Sequence, residues 1–198
     1  MKLYIRTIDE YENADESLLE VKRRGRLARI KNARTRLECV AAGMLLREAL
    51  SGCGYPVADE PLTVFYDDNG KPYVEHAPYF SLSHSGGLVI CAVDDEPIGA
   101  DVQVVKGVTA RLAKKVLSEH ELAEFLRIAE TKSEQEAERY FTICWTEKES
   151  VAKLIGTGLK MDFRLVDTRE YVVNTLYKKY FEKEYFISVA REKDNRKE

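Results

Sequence analysis

Residues 80–103 read FSLSHSGGLVICAVDDEPIGADVQ, three apolar runs separated by two polar turns. Phe80 to Ser83 is a short apolar strand. His84-Ser85-Gly86-Gly87 reads as a polar turn, Leu88 to Val93 as a buried strand, Asp94-Asp95-Glu96-Pro97 as a second turn and Ile98 to Val104 as a third strand. Apolar runs of this length between Gly, Pro and Asp clusters are the usual strand signal. Side chains alternate along a strand, so Ile98, Ala100, Val102 and Val104 share one face, and Gly99, Asp101 and Gln103 the other. Asp101 and Gln103 then stand roughly 6–7 Å apart at a rise of ~3.3 Å per residue. A carboxylate and an amide oxygen beside a glycine make a corner suited to a cation or a phosphate.

Working outward, residues 144–159 read CWTEKESVAKLIGTGL. Helical spacing places Trp145, Glu149 and Lys153 on one stripe. Ala152, Leu154 and Ile155 can face a core, and Gly156 is a natural helix stop. Glu149 and Lys153, one turn apart, could hold a metal ion and a phosphate oxygen side by side.

These residues carry a resemblance. The chain resembles the 4′-phosphopantetheinyl transferases of the surfactin-synthetase-activating type. The matching pieces are the Ser83-His84-Ser85-Gly86 turn, the Ile98-Gly99-Ala100-Asp101 strand, and Trp145-x-x-Lys148-Glu149-Ser150-x-x-Lys153 with its Gly156-x-Gly158-Leu159 exit. Gly70-Lys71-Pro72 is a weaker match upstream. Each piece is unspecific alone, but the ordered set is specific and threads residues from about 20 to 160. The resemblance implies an α+β fold, a pseudo-dimer of two similar α/β halves with mainly antiparallel sheets and an active site between them.

Composition agrees with that class. The 198 residues suit one domain or two small subdomains. A hydrophobic content of 44% with 33% charged residues describes a globular chain. The net charge of −3 argues against a general nucleic-acid binder. Cys39, Cys53, Cys91 and Cys144 form no C-x-x-C pair, so zinc is unsupported, and Cys91 and Cys144 read as buried thiols. The amino terminus, MKLYIRTIDE, lacks a signal-peptide core, and no apolar run is long enough to span a membrane. The expectation is a cytoplasmic protein with free thiols.

Taken in order, Met1 to Ile8 reads as a strand and Ser17 to Ala28 as a helix. Residues 22–36 hold eight basic side chains: Lys22, Arg23, Arg24, Arg26, Arg29, Lys31, Arg34 and Arg36. A solvated helix face accounts for most such runs; the density here points to an anion. Ala33 to Leu50 forms a helix with Leu37, Val40, Ala41, Met44, Leu45 and Ala49 on its core face. Gly52 to Pro61 is a loop, Leu62 to Tyr66 a strand, and Asp67 to Gly70 a turn that presents Lys71. Thr109 to Leu117 is helical. Ser118 and Glu121 form a capping box for a helix to about Ala129. Glu130 to Glu138 is a polar loop or helix start before the long helix to Ile155. Met161 to Val166, Tyr171 to Tyr177 and Tyr185 to Ala190 complete a second sheet. The halves divide near Pro97, with 191–198 a charged tail; the resemblance implies that residues 1–97 are the coenzyme A-contacting half and 98–190 the metal and catalytic half.

The resemblance implies the chemistry. Phosphopantetheine passes from coenzyme A to a serine of an acyl or peptidyl carrier protein, and adenosine 3′,5′-bisphosphate leaves. Asp101, Gln103 and Glu149 are the implied metal ligands, with Mg²⁺ as the ion and Mn²⁺ as an alternative, because such ions take oxygen donors. Glu149 is the implied base and Lys153 the group that steadies the leaving phosphate. Lys31, Arg36, Lys71, Ser83, His84 and Lys148 are the implied coenzyme A contacts. Trp145 is read as a packing residue. Gln103 departs from the family, many members of which carry a third acidic ligand there. The implied partners are coenzyme A and the carrier, with no nucleic acid, no membrane and a monomeric chain.

Each residue also has an ordinary explanation. A Glu149–Lys153 pair is usually a surface ion pair worth a few tenths of a kcal/mol. His84 in such a turn is usually a hydrogen-bonded turn residue. Asp101 in an apolar strand is harder to dismiss, because a buried carboxylate needs a partner. Two rival classes stand beside the enzyme. One is a non-catalytic coenzyme A or carrier-binding module with a decayed metal site at Gln103. The other is a small nucleic-acid binder using residues 22–36, against which the acidic total charge counts.

Overall fold

The computed structural model describes residues 1–157 and 161–193. The chain divides into two compact units, Met1–Ile98 and Gly99–Glu198. The Gly158-Leu159 exit lies outside the described residues.

In the first unit, β1 (Lys2–Thr7) is followed by α1 (Val21–Leu27) and α2 (Ala33–Ser51). Then come the short pair β2 (Phe65–Tyr66) and β3 (Pro72–Tyr73), and the hairpin β4 (Tyr79–Ser85) and β5 (Leu88–Asp94). The sheet order is β1-β5-β4, and both neighbours of β5 run antiparallel to it. The apolar run 88–93 occupies the central strand and is buried on both faces. Val89, Cys91 and Val93 pack with Ala41, Leu45, Ala49 and Leu50 of α2.

The second unit contains β6 (Ile98–Val104), which begins at the last residue of the first unit, then α3 (Ala110–Val116), α4 (Glu119–Thr131), α5 (Glu134–Ile155), β7 (Val172–Tyr180) and β8 (Lys183–Arg191). Its sheet order is β6-β8-β7. The long helix α5 packs on β8. A stripe of small residues on α5, Thr142, Thr146 and Ser150, is buried. Each hydroxyl donates back to a carbonyl of its own helix, at 2.7, 2.6 and 2.7 Å, so the stripe leaves no orphan donor.

The two units share one topology. In each, a first strand is followed by a long helix, then by a hairpin whose second strand inserts between its partner and the first strand. This is the α+β architecture of mainly antiparallel sheets that the resemblance implied.

Several elements differ from expectation. His84 and Ser85 belong to β4 rather than to the turn, which is Gly86-Gly87 alone. Both glycines have positive φ, 62° and 107°, as a two-residue hairpin turn of the primed type requires. Ser17 to Ala28 is not one helix: a 3₁₀ turn at Glu16–Leu18, capped by Asp15, precedes α1. The strand expected over 62–66 shortens to Phe65–Tyr66. Met161 to Val166 is not a strand. Asp162 accepts from Arg164 N at 3.1 Å and closes a 3₁₀ turn at Phe163–Leu165. Gly156 does end α5, in the left-handed region at φ 85°.

Gly99 marks where β6 touches α5. A Cβ there would lie 2.0 Å from the Ser150 carbonyl oxygen and 2.4 Å from the Leu154 nitrogen, both backbone atoms. Gly99→Ala should therefore destabilise the protein by about 3 kcal/mol through overpacking, read from urea unfolding. A loss below about 1 kcal/mol would show that α5 can withdraw from β6.

Candidate active site

In the second unit the site is built from β6 and α5. Because β6 is an apolar strand in a packed sheet, Asp101 is driven into the interior with it and is only 2% exposed. Its two oxygens find separate donors. Lys153 Nζ donates to Oδ1 at 2.6 Å, and Gln103 Nε2 donates to Oδ2 at 3.1 Å. Lys153 reaches Asp101 because it lies in the last turn of α5. Glu149, one turn earlier, is half-buried, and its carboxyl is pushed up to about 7. Burial is the main cause and the Asp101 carboxylate the next, while Lys153 opposes them. Asp101, Gln103, Glu149 and Lys153 thus form one group.

Among the described residues no three His, Cys, Asp or Glu side chains gather as a metal cluster. The group offers two carboxylates and one amide instead. That set is entirely of hard oxygen donors, once the Gln103 nitrogen is turned to Asp101. It suits a small divalent cation that keeps several waters and takes one or two carboxylates.

Trp145 shares the sequence stripe with Glu149 but not its surroundings. Its ring stacks on Phe163 at 5.7 Å and lies 5.9 Å from Phe141, a packing role as expected. Lys148 departs from expectation. It is 1% exposed, and its ammonium donates to Val116 O at 3.1 Å, Glu121 Oε2 at 2.5 Å and Phe163 O at 2.9 Å. All three protons are consumed inside the second unit, so the expected phosphate contact is replaced by an interior role. Glu121 is likewise more than a helix cap.

A groove of about 610 Å³ lies beside this core. Leu112, Trp145 and Phe163 are among its apolar walls, and Lys114, Lys115 and Arg164 among its charged ones.

In the first unit, the β4–β5 turn meets the first turns of α2. Ser83 is buried in β4, and His84 beside it is 43% exposed with Nδ1 3.7 Å from Glu38 Oε2. Arg34 reaches over the hairpin: a Cβ on Gly87 would lie 2.5 Å from its Nη2. Lys31 is exposed just before α2. Arg36 is instead committed to an ion pair through both its terminal nitrogens with Glu16. Lys71 is fixed by an Asp67 turn, whose Oδ1 accepts Lys71 N at 2.8 Å. Its Nζ donates to Ile98 O at 3.4 Å, and burial lowers its pKa.

Arg34 belongs to the basic run of residues 22–36 but is not singled out there with Lys31 and Arg36. The signal was Asn32, whose side chain accepts from Thr35 N at 2.9 Å and fixes the start of α2. That cap places Arg34 in the first turn and Glu38 one turn on, along the same face.

Comparison with known proteins agrees with this geometry. Residues 97–197, just over half of the chain, match the model of the 4′-phosphopantetheinyl transferase superfamily. The chain is 35% identical over 107 residues to the 4′-phosphopantetheinyl transferase psf-1 of Bacillus pumilus, covering 53% of this chain and 44% of that protein. It is 38% identical over 94 residues to the 4′-phosphopantetheinyl transferase Sfp of Bacillus subtilis (strain 168), covering 46% and 40%. Over 151 residues it is 30% identical to the L-aminoadipate-semialdehyde dehydrogenase-phosphopantetheinyl transferase of Eremothecium gossypii, covering 72% and 54%. The chain spans about half the length of the curated relatives it matches. With a strand and a helix that bring Asp101, Glu149 and Lys153 together inside the matched segment, the chain belongs to the 4′-phosphopantetheinyl transferase superfamily.

Proposed function

We propose that the protein transfers the 4′-phosphopantetheine arm of coenzyme A to a serine of an acyl or peptidyl carrier protein. The serine Oγ forms a bond to the pantetheine phosphorus, the pyrophosphate P–O bond breaks, and adenosine 3′,5′-bisphosphate departs. The observation that carries this reading is the Asp101–Lys153 ion pair with Glu149 beside it, within the segment that matches the family.

A carboxyl that titrates near neutrality is well matched to general-base work, and Glu149 takes the serine proton. Lys153 supplies positive charge to the leaving phosphate. Asp101, Glu149 and the oxygen of Gln103 would hold Mg²⁺, or Mn²⁺ in its place. The ion, when bound, neutralises charge on the pyrophosphate. Ser83, His84, Lys71, Lys31 and Arg34 are the proposed phosphate contacts of coenzyme A. Residues 1–97 then form the coenzyme A half and residues 98–190 the catalytic half. The groove with Lys114 and Lys115 suits an acidic carrier helix. Among the described residues no helix is long and apolar enough to cross a membrane. We place the protein in the cytoplasm as a monomer without nucleic-acid or membrane partners.

The second reading is a coenzyme A or carrier-binding module without turnover, favoured only by Gln103 in place of an acid. Intact-mass spectrometry of apo carriers incubated with the protein, coenzyme A and Mg²⁺ separates the two. One phosphopantetheine added per carrier, abolished by EDTA, is expected. No addition with Mg²⁺ or Mn²⁺ would favour the binding module and make Gln103→Glu the first substitution to try. Replacing both Lys114 and Lys115 with glutamate should raise the carrier KM and leave the coenzyme A KM alone.

The Glu149 carboxyl predicts a pH signature that needs no turnover. In the folded protein it holds its proton to about 7, against an ordinary value of 4.5. The folded state therefore binds more protons across that window, and stability falls as pH rises through it. In EDTA, Glu149→Gln should raise the Tm at pH 8, and the gain should vanish as pH falls toward 4.5. A gain independent of pH would show that Glu149 is not held against its ionisation.

A further inference from the structure

We infer that Lys148 is a positioning residue that sets the walls of the groove beside the active site, and that through them it governs how the carrier docks. This deepens the transferase reading and rests on it for the identity of the docked partner. Lys148 is the largest fully buried side chain among the described residues. Its acceptors come from three separate places: the last turn of α3, the first turn of α4 and the 3₁₀ turn that follows α5. Val116 and Phe163, two of those acceptors, line the groove. One ammonium therefore ties two of its walls to α5, which lines it at Trp145.

The third acceptor is tied in as well. Glu121 Oε2, which takes the Lys148 proton, also accepts Ser118 N at 2.7 Å, so the same oxygen closes the α4 capping box. The segment between α3 and α4 is thereby locked to α5 from both sides of Leu117.

Stability alone does not call for a lysine here. Burying an ammonium is costly, and replacing a buried ion pair with well-packed apolar side chains is often neutral or stabilising. A methionine of similar length would fill the space. What it would not do is hold two carbonyl oxygens and a carboxylate at fixed distances from one atom. The gain from lysine is geometric, and the geometry it fixes is that of the groove.

Trp145 is the single tryptophan of the chain, so its fluorescence reports on the groove directly. The experiment is Lys148→Met, read three ways: acrylamide quenching of Trp145, carrier KM and coenzyme A KM. The expected result is at least a twofold rise in quenching, a carrier KM raised about tenfold, and a coenzyme A KM and kcat within about threefold of the parent. A raised coenzyme A KM would overturn the proposal in favour of a phosphate contact. A fall in kcat alone, in proportion to loss of folded protein, would overturn it in favour of a purely structural role.

If the parent transfers nothing to any carrier, the transferase reading fails separately. Quenching then decides the wall-setting role by itself: a rise upholds it and no change overturns it. Should Lys148→Met not fold, Glu121→Gln keeps the lysine, removes its charged partner, and should move the same three readings in the same directions by smaller factors.

Discussion

The buried carboxylate of Asp101 is the constraint around which the second unit is arranged. A charge that deep in a sheet is tolerated only when its oxygens are satisfied. Lys153 and Gln103 do so from two different elements, one from the helix and one from the strand itself. For Lys153 to reach, α5 must come close to β6. It can, because the strand offers Gly99 at the crossing and the helix offers a stripe of small residues whose hydroxyls bond inward. The same closeness half-buries Glu149 beside a second carboxylate and raises its proton affinity. Packing and site chemistry are thus one arrangement.

The shared topology of the two units shows how much of that arrangement is generic. Each places a long helix against the central strand of a three-stranded sheet. In the first unit that face is filled by Ala41, Leu45 and Ala49 against Val89, Cys91 and Val93. The second unit uses the corresponding helix and first strand to carry the acidic group. The first unit also pairs charges between its first strand and its long helix, Arg6 with Glu48, but both side chains there are part-exposed, whereas Asp101 is buried.

Much of this was legible in the residues. The strand pattern of 80–104 reads correctly because apolar runs are bounded by Gly, Asp and Pro, which act locally. Asp101 was legible as a carboxylate in a strand where nothing else is charged. Other features were hidden by physics that is not local. Met161 to Val166 alternates as a strand does, but an Asp162 side chain bonding two residues ahead outcompetes the extended form. His84 looked like a turn residue because two glycines follow, and those two alone suffice to make the turn. Arg36 reads as a phosphate ligand until Glu16, twenty residues away, is seen to hold it.

Lys148 shows why adjacent residues on a helix cannot be assigned by proximity in sequence. Successive side chains on a helix point about 100° apart. Glu149 and Lys153 therefore face β6, while Lys148 falls on the stripe of Phe141, Cys144 and Ala152, which packs against α3 and α4. An ammonium on an apolar stripe must have every proton accepted. It thus pulls the end of α3, the cap of α4 and the Phe163 turn onto the helix that also carries Glu149 and Lys153. The position of α5 is then fixed from two sides by lysines at 148 and 153, one reaching into carbonyl oxygens and the other into Asp101. The two ties are separable: Lys148 holds the groove-side elements to α5, while Lys153 holds the Glu149 end of the helix to Asp101.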